Sequence, residues 1–414
     1  MTTDRSMTRR RFVKRTAAGA AIPLLAAASS TLGQETRSAA AAGDAVQRKL
    51  RIGVVGLGGR GSWIAGLFKQ HPGYEIAAAV DYFEDTANAV GEKLGVPAEK
   101  RFSGLSGYKR AIDSGVDALV LEGIPRFFVE QTAAAIEAGC HVYMAKPFAV
   151  DVPGVFAMQS LAKKATEKKL CMLVDYQLPT DPANQEVKRR IGKGALGGLA
   201  HIISGGTCGS LPDPKVGPTI ENLFRRAHYS HVALSGDLPL LYDIHIIDGV
   251  TWITGKRAVT ASGYSRIIRP DPHGDRMDCG GVVFELEDGT CWTHATQCLQ
   301  NNSVMDDLAA DLMGLETTAH IAYSGQVFIR GGAEHYSGAT SSGIYADGAK
   351  ANIAEFYRCV TEGEFGNPTA HRSVDGHLTA ILGREAMKRK KLMTMDQLIA
   401  ENKKLSVDLH GLKE

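Results

Sequence analysis

A short apolar strand running straight into closely spaced glycines constrains this chain more than any other feature. Residues 50–61 read Leu-Arg-Ile-Gly-Val-Val-Gly-Leu-Gly-Gly-Arg-Gly. Gly56 permits the tight turn that ends a strand. Gly58, with Gly59 beside it, lacks a Cβ and lets the backbone approach a pyrophosphate. Gly61 lets the following helix pack close, and the helix start offers free N–H groups and a positive dipole end to phosphates. The context supports a dinucleotide site. An amphipathic stretch follows (Trp63, Ile64, Leu67, Phe68), then a second strand over 74–80, then Asp81, placed where an acid takes the ribose hydroxyls of NAD. Asp81 repels a 2′-phosphate and so favours NAD, with NADP left open. Arg60 is a candidate phosphate contact. The competing reading is a glycine turn that merely lets a strand and a helix pack.

Residues 48–175 alternate strand-like runs (50–56, 75–80, 117–121, 141–144, 170–174) with helical stretches (61–70, 84–95, 126–138, 153–168). That rhythm predicts a doubly wound parallel sheet with its ligand at the carboxyl ends of the strands. After Tyr176 a helix at 183–193 precedes strand-like runs at 198–206, 258–266, 280–287, 290–298, 309–313, 317–322 and 326–330. Consecutive strands with short turns predict a second α/β domain over 176–400 with an open, mostly antiparallel sheet. Residues 208–240 and 332–346 read as loop. Helices are expected at 240–254, 348–362 and 373–388, and 401–414 as a tail.

Residues 1–42 read as a targeting segment and linker rather than fold. Thr8-Arg-Arg-Arg-Phe-Val-Lys14 resembles a twin-arginine export signal, and an alanine-rich apolar run follows. The first 33 residues carry six cations against one carboxylate, so the formal charge of +2 becomes −3 without them. A mildly acidic remainder with no basic stripe argues against a nucleic-acid partner. The run is short and weakly hydrophobic for a stable membrane anchor. The expected location is the periplasm or another exported compartment, with the export machinery as a partner. Seven cysteines show no metal spacing, and no metal is expected. If Glu287 faces Thr290 across a two-residue Asp288-Gly289 turn, Cys279 faces Cys298, and a disulfide there stays open.

Several stretches resemble the Gfo/Idh/MocA oxidoreductases: Asp117-Ala-Leu-Val-Leu-Glu-Gly-Ile-Pro125, Ala133 to Ala145-Lys146-Pro147, Gly194 to Ile202, Asp243-Ile-His245-Ile-Ile-Asp248 and Thr379 to Ala386. The resemblance implies a Rossmann domain joined to an open-sheet domain, hydride transfer between a nicotinamide and a carbinol carbon of a sugar or polyol, and assembly as a homodimer or homotetramer. It also places Pro125 and Lys146 beside the cofactor and implies that the proline after the lysine is often cis. Two positions depart from the family pattern. The acid usually found before the lysine is Ala145, and the acid four residues before the histidine is Leu241.

Oxidising a secondary alcohol removes a proton from oxygen, so a base must reach the hydroxyl. His245 suits that role because imidazole titrates in the neutral range. Lys146, at a strand end before a proline, can hydrogen-bond the hydroxyl and stabilise developing alkoxide charge. Tyr176, Gln177, His228, Tyr229, His231 and Asp243 are candidate substrate contacts, with Asp237 and Arg225 weaker ones. Scarce nucleotide outside the cytoplasm favours a tightly bound NAD or NADP loaded before export. Two other functions stay open: a glycosidase working by transient oxidation and elimination, and a non-catalytic sugar- or nucleotide-binding protein.

Overall fold

The computed structural model describes residues 48–414 apart from 212, 215–218, 302, 304–306 and 342. The twin-arginine stretch and the expected cleavage region lie outside the described residues. Among the described residues, no helix is long and apolar enough to cross a membrane.

The first half alternates as its apolar rhythm requires: β1 (Leu50–Val55), α1 (Gly59–Gln70), β2 (Tyr74–Asp81), α2 (Glu84–Leu94), β3 (Arg101–Ser103), α3 (Gly107–Asp113), β4 (Ala118–Leu121), α4 (Phe128–Glu137), β5 (His141–Met144), α5 (Val152–Glu167) and β6 (Met172–Val174). The strands lie parallel in the order β3-β2-β1-β4-β5-β6. β4 is buried throughout and β1 nearly so, as central strands covered by helices on both faces must be. Strand order reverses between β1 and β4, which opens a crevice at their carboxyl ends. β3 and α3 escaped the sequence reading. β3 has only three residues, and α3 begins at Gly107, where a Cβ would stand 2.8 Å from Val80.

The second half begins with α6 (Pro182–Ile191), capped by Asp181 with proline in its first turn. β7 (Leu199–Cys208), α7 (Ile220–Arg226), α8 (Val232–Ser235), α9 (Leu238–Leu241) and α10 (Ile244–Thr254) follow. Then come β8 (Ala258–Arg266), β9 (Cys279–Leu286), β10 (Cys291–Cys298), β11 (Ala309–Gly314), β12 (Thr318–Ala322), β13 (Gly325–Arg330), β14 (Tyr336–Ser341), α11 (Ile344–Glu362), α12 (Pro368–Arg389), β15 (Met393–Thr394) and α13 (Met395–Glu401). The sheet order is β14-β13-β12-β11-β7-β10-β9-β8-β15, antiparallel except where β7 and β10 run parallel. The chain is therefore α/β with a Rossmann sheet and a second, mostly antiparallel one.

Three local expectations fail. The stretch 208–240, read as loop, carries the short helices α7, α8 and α9. Residues 336–341 form β14 rather than loop. Gly338 (φ +82°) disguises it, because the strand shifts register there and a Cβ would stand 1.7 Å from the Val327 carbonyl. The β9–β10 hairpin has a three-residue turn, not a two-residue one. Leu286 bonds to Thr290 and Gly289 is left-handed at φ +84°. That moves the register by one, so Cys279 faces Gln297 and Cys298 lies beside Cys208 of β7. The Cys279–Cys298 disulfide is therefore excluded by register, and all seven cysteines are free thiols.

Two late helices return to the first sheet. Ala349, Ile353 and Phe356 of α11 join the core formed by Ile52, Phe68 and Tyr143. α12, buried over most of its length, packs between α5 and β8. The last residues run back to the first domain as well: Leu105 N–H donates to the Lys413 carbonyl, and Val407, Leu409 and Leu412 pack near Phe127 and Phe224.

Candidate active site

The carboxyl ends of β1, β2 and β4 open into a cavity of about 610 Å³. At one end stands the glycine turn. Gly56 is left-handed (φ +89°), and a Cβ on it would meet Gly123 at 2.4 Å. A Cβ on Gly61 would stand 1.8 Å from the Gly56 carbonyl oxygen, so only glycine lets α1 start this close to β1. Gly58 and Gly59 are the opposite case, with no atom within 4 Å of an added Cβ. The first turn of α1 carries no side-chain cap and no acid. Its free N–H groups thus face open space, and this is the donor chemistry a pyrophosphate takes.

Asp81 ends β2 on the same cavity and accepts from Leu57 N–H (2.8 Å) and Phe83 N–H (3.0 Å). Burial raises its pKa against those two donors. Pro125 also lines the cavity. Arg225 reaches this end rather than a sugar subsite. Its guanidinium lies 4.0 Å over the Phe83 ring and 3.0 Å from Asp85. Asp237 is fully buried and caps α9 through Leu238 N–H.

Arg60 lines the cavity but turns inward. It pairs with Glu122 (3.0 Å) and Asp175, and donates to the Tyr345 hydroxyl at 2.6 Å. Two carboxylates engage its charge, which corrects the expectation of a free phosphate ligand. Burial pushes Glu122 up to about 7 even with Arg60 beside it. Sequence reading missed Glu122 and Asp175. Their signal was an acid at the end of an apolar strand in each case.

Lys146 lines the cavity beside Tyr229, Tyr242 and Leu241, and its bond to Pro147 is cis, as the resemblance implied. Its ammonium donates to the Leu241 carbonyl at 2.6 Å. Burial, then Arg60, lowers it to about 7. His245 is not among the residues that line the cavity and is 3% exposed. Burial first, then Lys146 and Arg60, hold its pKa well below the ordinary imidazole value.

A buried chain sets the His245 tautomer. Gln177 donates its amide N–H to Asp175 (2.7 Å), so its carbonyl oxygen accepts from the Tyr323 hydroxyl (2.8 Å). The spent hydroxyl proton leaves Tyr323 Oη to accept from His245 Nδ1–H (2.5 Å). Nε2 then keeps a bare lone pair. Tyr323, on no motif, was invisible in the sequence.

The remaining candidates separate. His228 and Tyr229 line the cavity, and burial lowers His228 to about 4. His231 is not part of that wall. Tyr176 is buried under Arg372 (5.6 Å), and Gln177 is wholly buried in the chain above, so both are corrected from substrate contact to support. Asp243 is likewise buried, 3.3 Å from His294. Asp248 pairs with Arg372 (2.9 Å), not with His245. Among the described residues no group of three His, Cys, Asp or Glu is placed to hold a metal.

Residues 50–174 match the model of Gfo/Idh/MocA, an oxidoreductase family with an NAD-binding Rossmann fold. The chain is 26% identical to a dehydrogenase of Aspergillus oryzae over 55% of its own length and 60% of that relative's, so it spans under two thirds of that protein. It is 22% identical to the scyllo-inositol 2-dehydrogenase (NAD(+)) of Bacillus subtilis, over 67% of this chain and 75% of that one. Among solved structures, the scyllo-inositol dehydrogenase of Lactobacillus casei with bound NAD(H) and scyllo-inositol shares the fold: TM-score 0.64, 20% identity, 84% of this chain and 100% of that one. Over residues 50–174 the chain is thus similar to the NAD-binding Rossmann domain of the Gfo/Idh/MocA oxidoreductases.

Proposed function

We propose that this protein is an exported NAD-dependent oxidoreductase acting on a secondary hydroxyl of a sugar, glycoside or polyol. One observation carries the reading: a single cavity is lined by the open glycine turn, Asp81 and Lys146 together. The glycine turn and the α1 N-terminus would hold a diphosphate, and Asp81 a ribose. A bound nicotinamide supplies the two-electron acceptor for the carbinol carbon. Lys146 touches the hydroxyl and offsets charge on its oxygen as the proton leaves. His245 receives that proton at Nε2, since its depressed pKa keeps the ring neutral and able to accept at pH 7. Tyr229, Tyr242 and His228 supply aromatic faces with polar tips, suited to a ring bearing hydroxyls.

Turnover of a polyol and glycoside panel, followed at the absorbance of reduced nicotinamide, tests the activity. Lys146→Met should lower kcat/KM at least about tenfold, or ~1.4 kcal/mol. An unchanged value removes Lys146 from the reaction. Asp81→Ser should cut the NAD-over-NADP preference by about tenfold, because the repelling carboxylate is gone. The same preference in the variant refutes that role.

Export rests on Thr8 to Lys14 and is tested by fractionating cells that express the chain with Arg9 and Arg10 changed to lysine. Tight cofactor retention is supported by Phe224 and Arg225, which wall the cavity from the second half of the chain. Assembly as a dimer or tetramer is supported by Ile203, Tyr264 and Val283, exposed on one face of the large sheet, and is read by light scattering.

A further inference from the structure

Two thiols share one rung of the large sheet. β7 and β10 run parallel, and Cys208 is the register partner of Cys298. Side chains two residues apart on a strand share a face, so Ser204, Gly206 and Cys208 line up with His294, Thr296 and Cys298. This is the inner face, where Ser204, His294, Thr296 and Cys298 are all buried. Partners on it meet directly: Ser204 Oγ lies 2.8 Å from His294 Nδ1. The Leu299 N–H donates to the Cys208 carbonyl at 3.1 Å and so keeps the ladder in register past its last rung. The Cys298 sulfur turns toward the end of β7. It donates to the Gly209 carbonyl (3.1 Å) and accepts from Leu211 N–H (3.2 Å), groups that directly follow Cys208. Neighbouring strands stand about 4.8 Å apart, within the roughly 4.4–6.8 Å between Cα atoms that a disulfide spans. The other strand cysteines have no such partner, since Cys279 faces Gln297 and Cys291 faces His201 and Glu285.

We propose that Cys208 and Cys298 form a dithiol site that an external disulfide oxidises to an intrachain cross-link. The step is a thiol–disulfide exchange. A bond forms between the two Sγ atoms and the S–S bond of the oxidant breaks. The pair gives up two electrons and two protons, and the oxidant leaves as two thiols. Cys208 is half-buried and is the sulfur an oxidant reaches, while Cys298 lies beneath it. The environment favours Cys298 as the attacking thiolate. The Cys208 side chain, working against burial, and then the buried Arg276 hold its thiol below the ordinary value. The cross-link joins positions about 90 residues apart, and closing so long a loop restricts the unfolded chain. It also ties to β10 the start of the segment that carries Leu211 to the cavity wall. The site stands apart from the hydride chemistry of the cavity and does not depend on it.

The test equilibrates the purified full chain in glutathione buffers from fully reduced to fully oxidised. Remaining thiols are then blocked with N-ethylmaleimide, and peptide mass spectrometry reads the products. A peptide pair joined through Cys208 and Cys298, lighter than its parts by two hydrogens, should appear as the oxidised form comes to dominate. Tm should rise with it by at least about 3 °C. Cys208→Ser should lose both the joined peptide and the rise. Should Cys298→Ser fail to fold, the half-buried Cys208→Ser carries the comparison alone. Cysteines 208 and 298 that both stay alkylated across the whole range overturn the proposal. So does a glutathione adduct that persists on Cys208, or a rise in Tm that survives in Cys208→Ser.

Discussion

His245→Ala should lower kcat by about 10²- to 10⁴-fold, the range for loss of a positioned acid–base group. Nucleotide affinity should stay near the wild-type value, because His245 is not among the residues that line the cavity with the glycine turn. His245→Gln separates chemistry from packing. Its amide can still donate to Tyr323 Oη but has no basic lone pair, so kcat should fall by a similar factor with a smaller loss of Tm. The pH dependence has a definite sign. Burial and two neighbouring cations depress His245, so the imidazole stays neutral through pH 6.5 and an acid limb belongs well below that. Lys146, at about 7, is charged below that value and loses its ammonium above it. Oxidation that needs the ammonium should therefore decline as pH rises through about 7. A wild-type kcat in His245→Ala would exclude the histidine from the reaction.

Gly61→Ala should abolish dinucleotide binding, weakening it by more than about 100-fold, or ~2.7 kcal/mol. The new methyl would stand 1.8 Å from the Gly56 carbonyl oxygen and 3.2 Å from Glu122 Cβ. Both are held by the strand ends, so α1 must swing away and carry its N–H groups with it. Tm should fall as well. Gly58→Ala makes the complementary case. Its backbone (φ −63°, ψ −168°) suits any residue, and nothing lies within 4 Å of the new carbon. Stability should change by no more than about 0.5 kcal/mol, while nucleotide affinity falls because the methyl enters the space reserved for the phosphates. Calorimetric titration and thermal melts read both. Equal affinities in Gly58→Ala and wild type would mean that the open space is not the phosphate site.

What was legible in the sequence was whatever local rules govern. The first sheet followed from strand–helix alternation, and its glycine turn from residues whose spacing has one steric meaning. Lys146 and His245 were visible because they sit in motifs. The rest of the site depends on contacts across the chain. Tyr323, more than 70 residues after His245 in the sequence, sets its tautomer. Glu122 and Asp175 close on Arg60 only when β4, β6 and α1 assemble. Asp243 read as a substrate contact because helical spacing cannot reveal that Gly206 leaves room for it inside. The hairpin slipped by one residue because an Asp-Gly pair fits both a two-residue turn and the last positions of a three-residue one. β14 was hidden by Gly338, whose positive φ reads as loop until its partner strand is present.

Calorimetric titration of nucleotide-free protein with NAD and NADH tests the central claim most directly. The account predicts one site per chain for the wild type, with the heat lost in Gly58→Ala at an unchanged Tm. Folded wild-type protein that gives no heat with NAD, NADH, NADP or NADPH would contradict it.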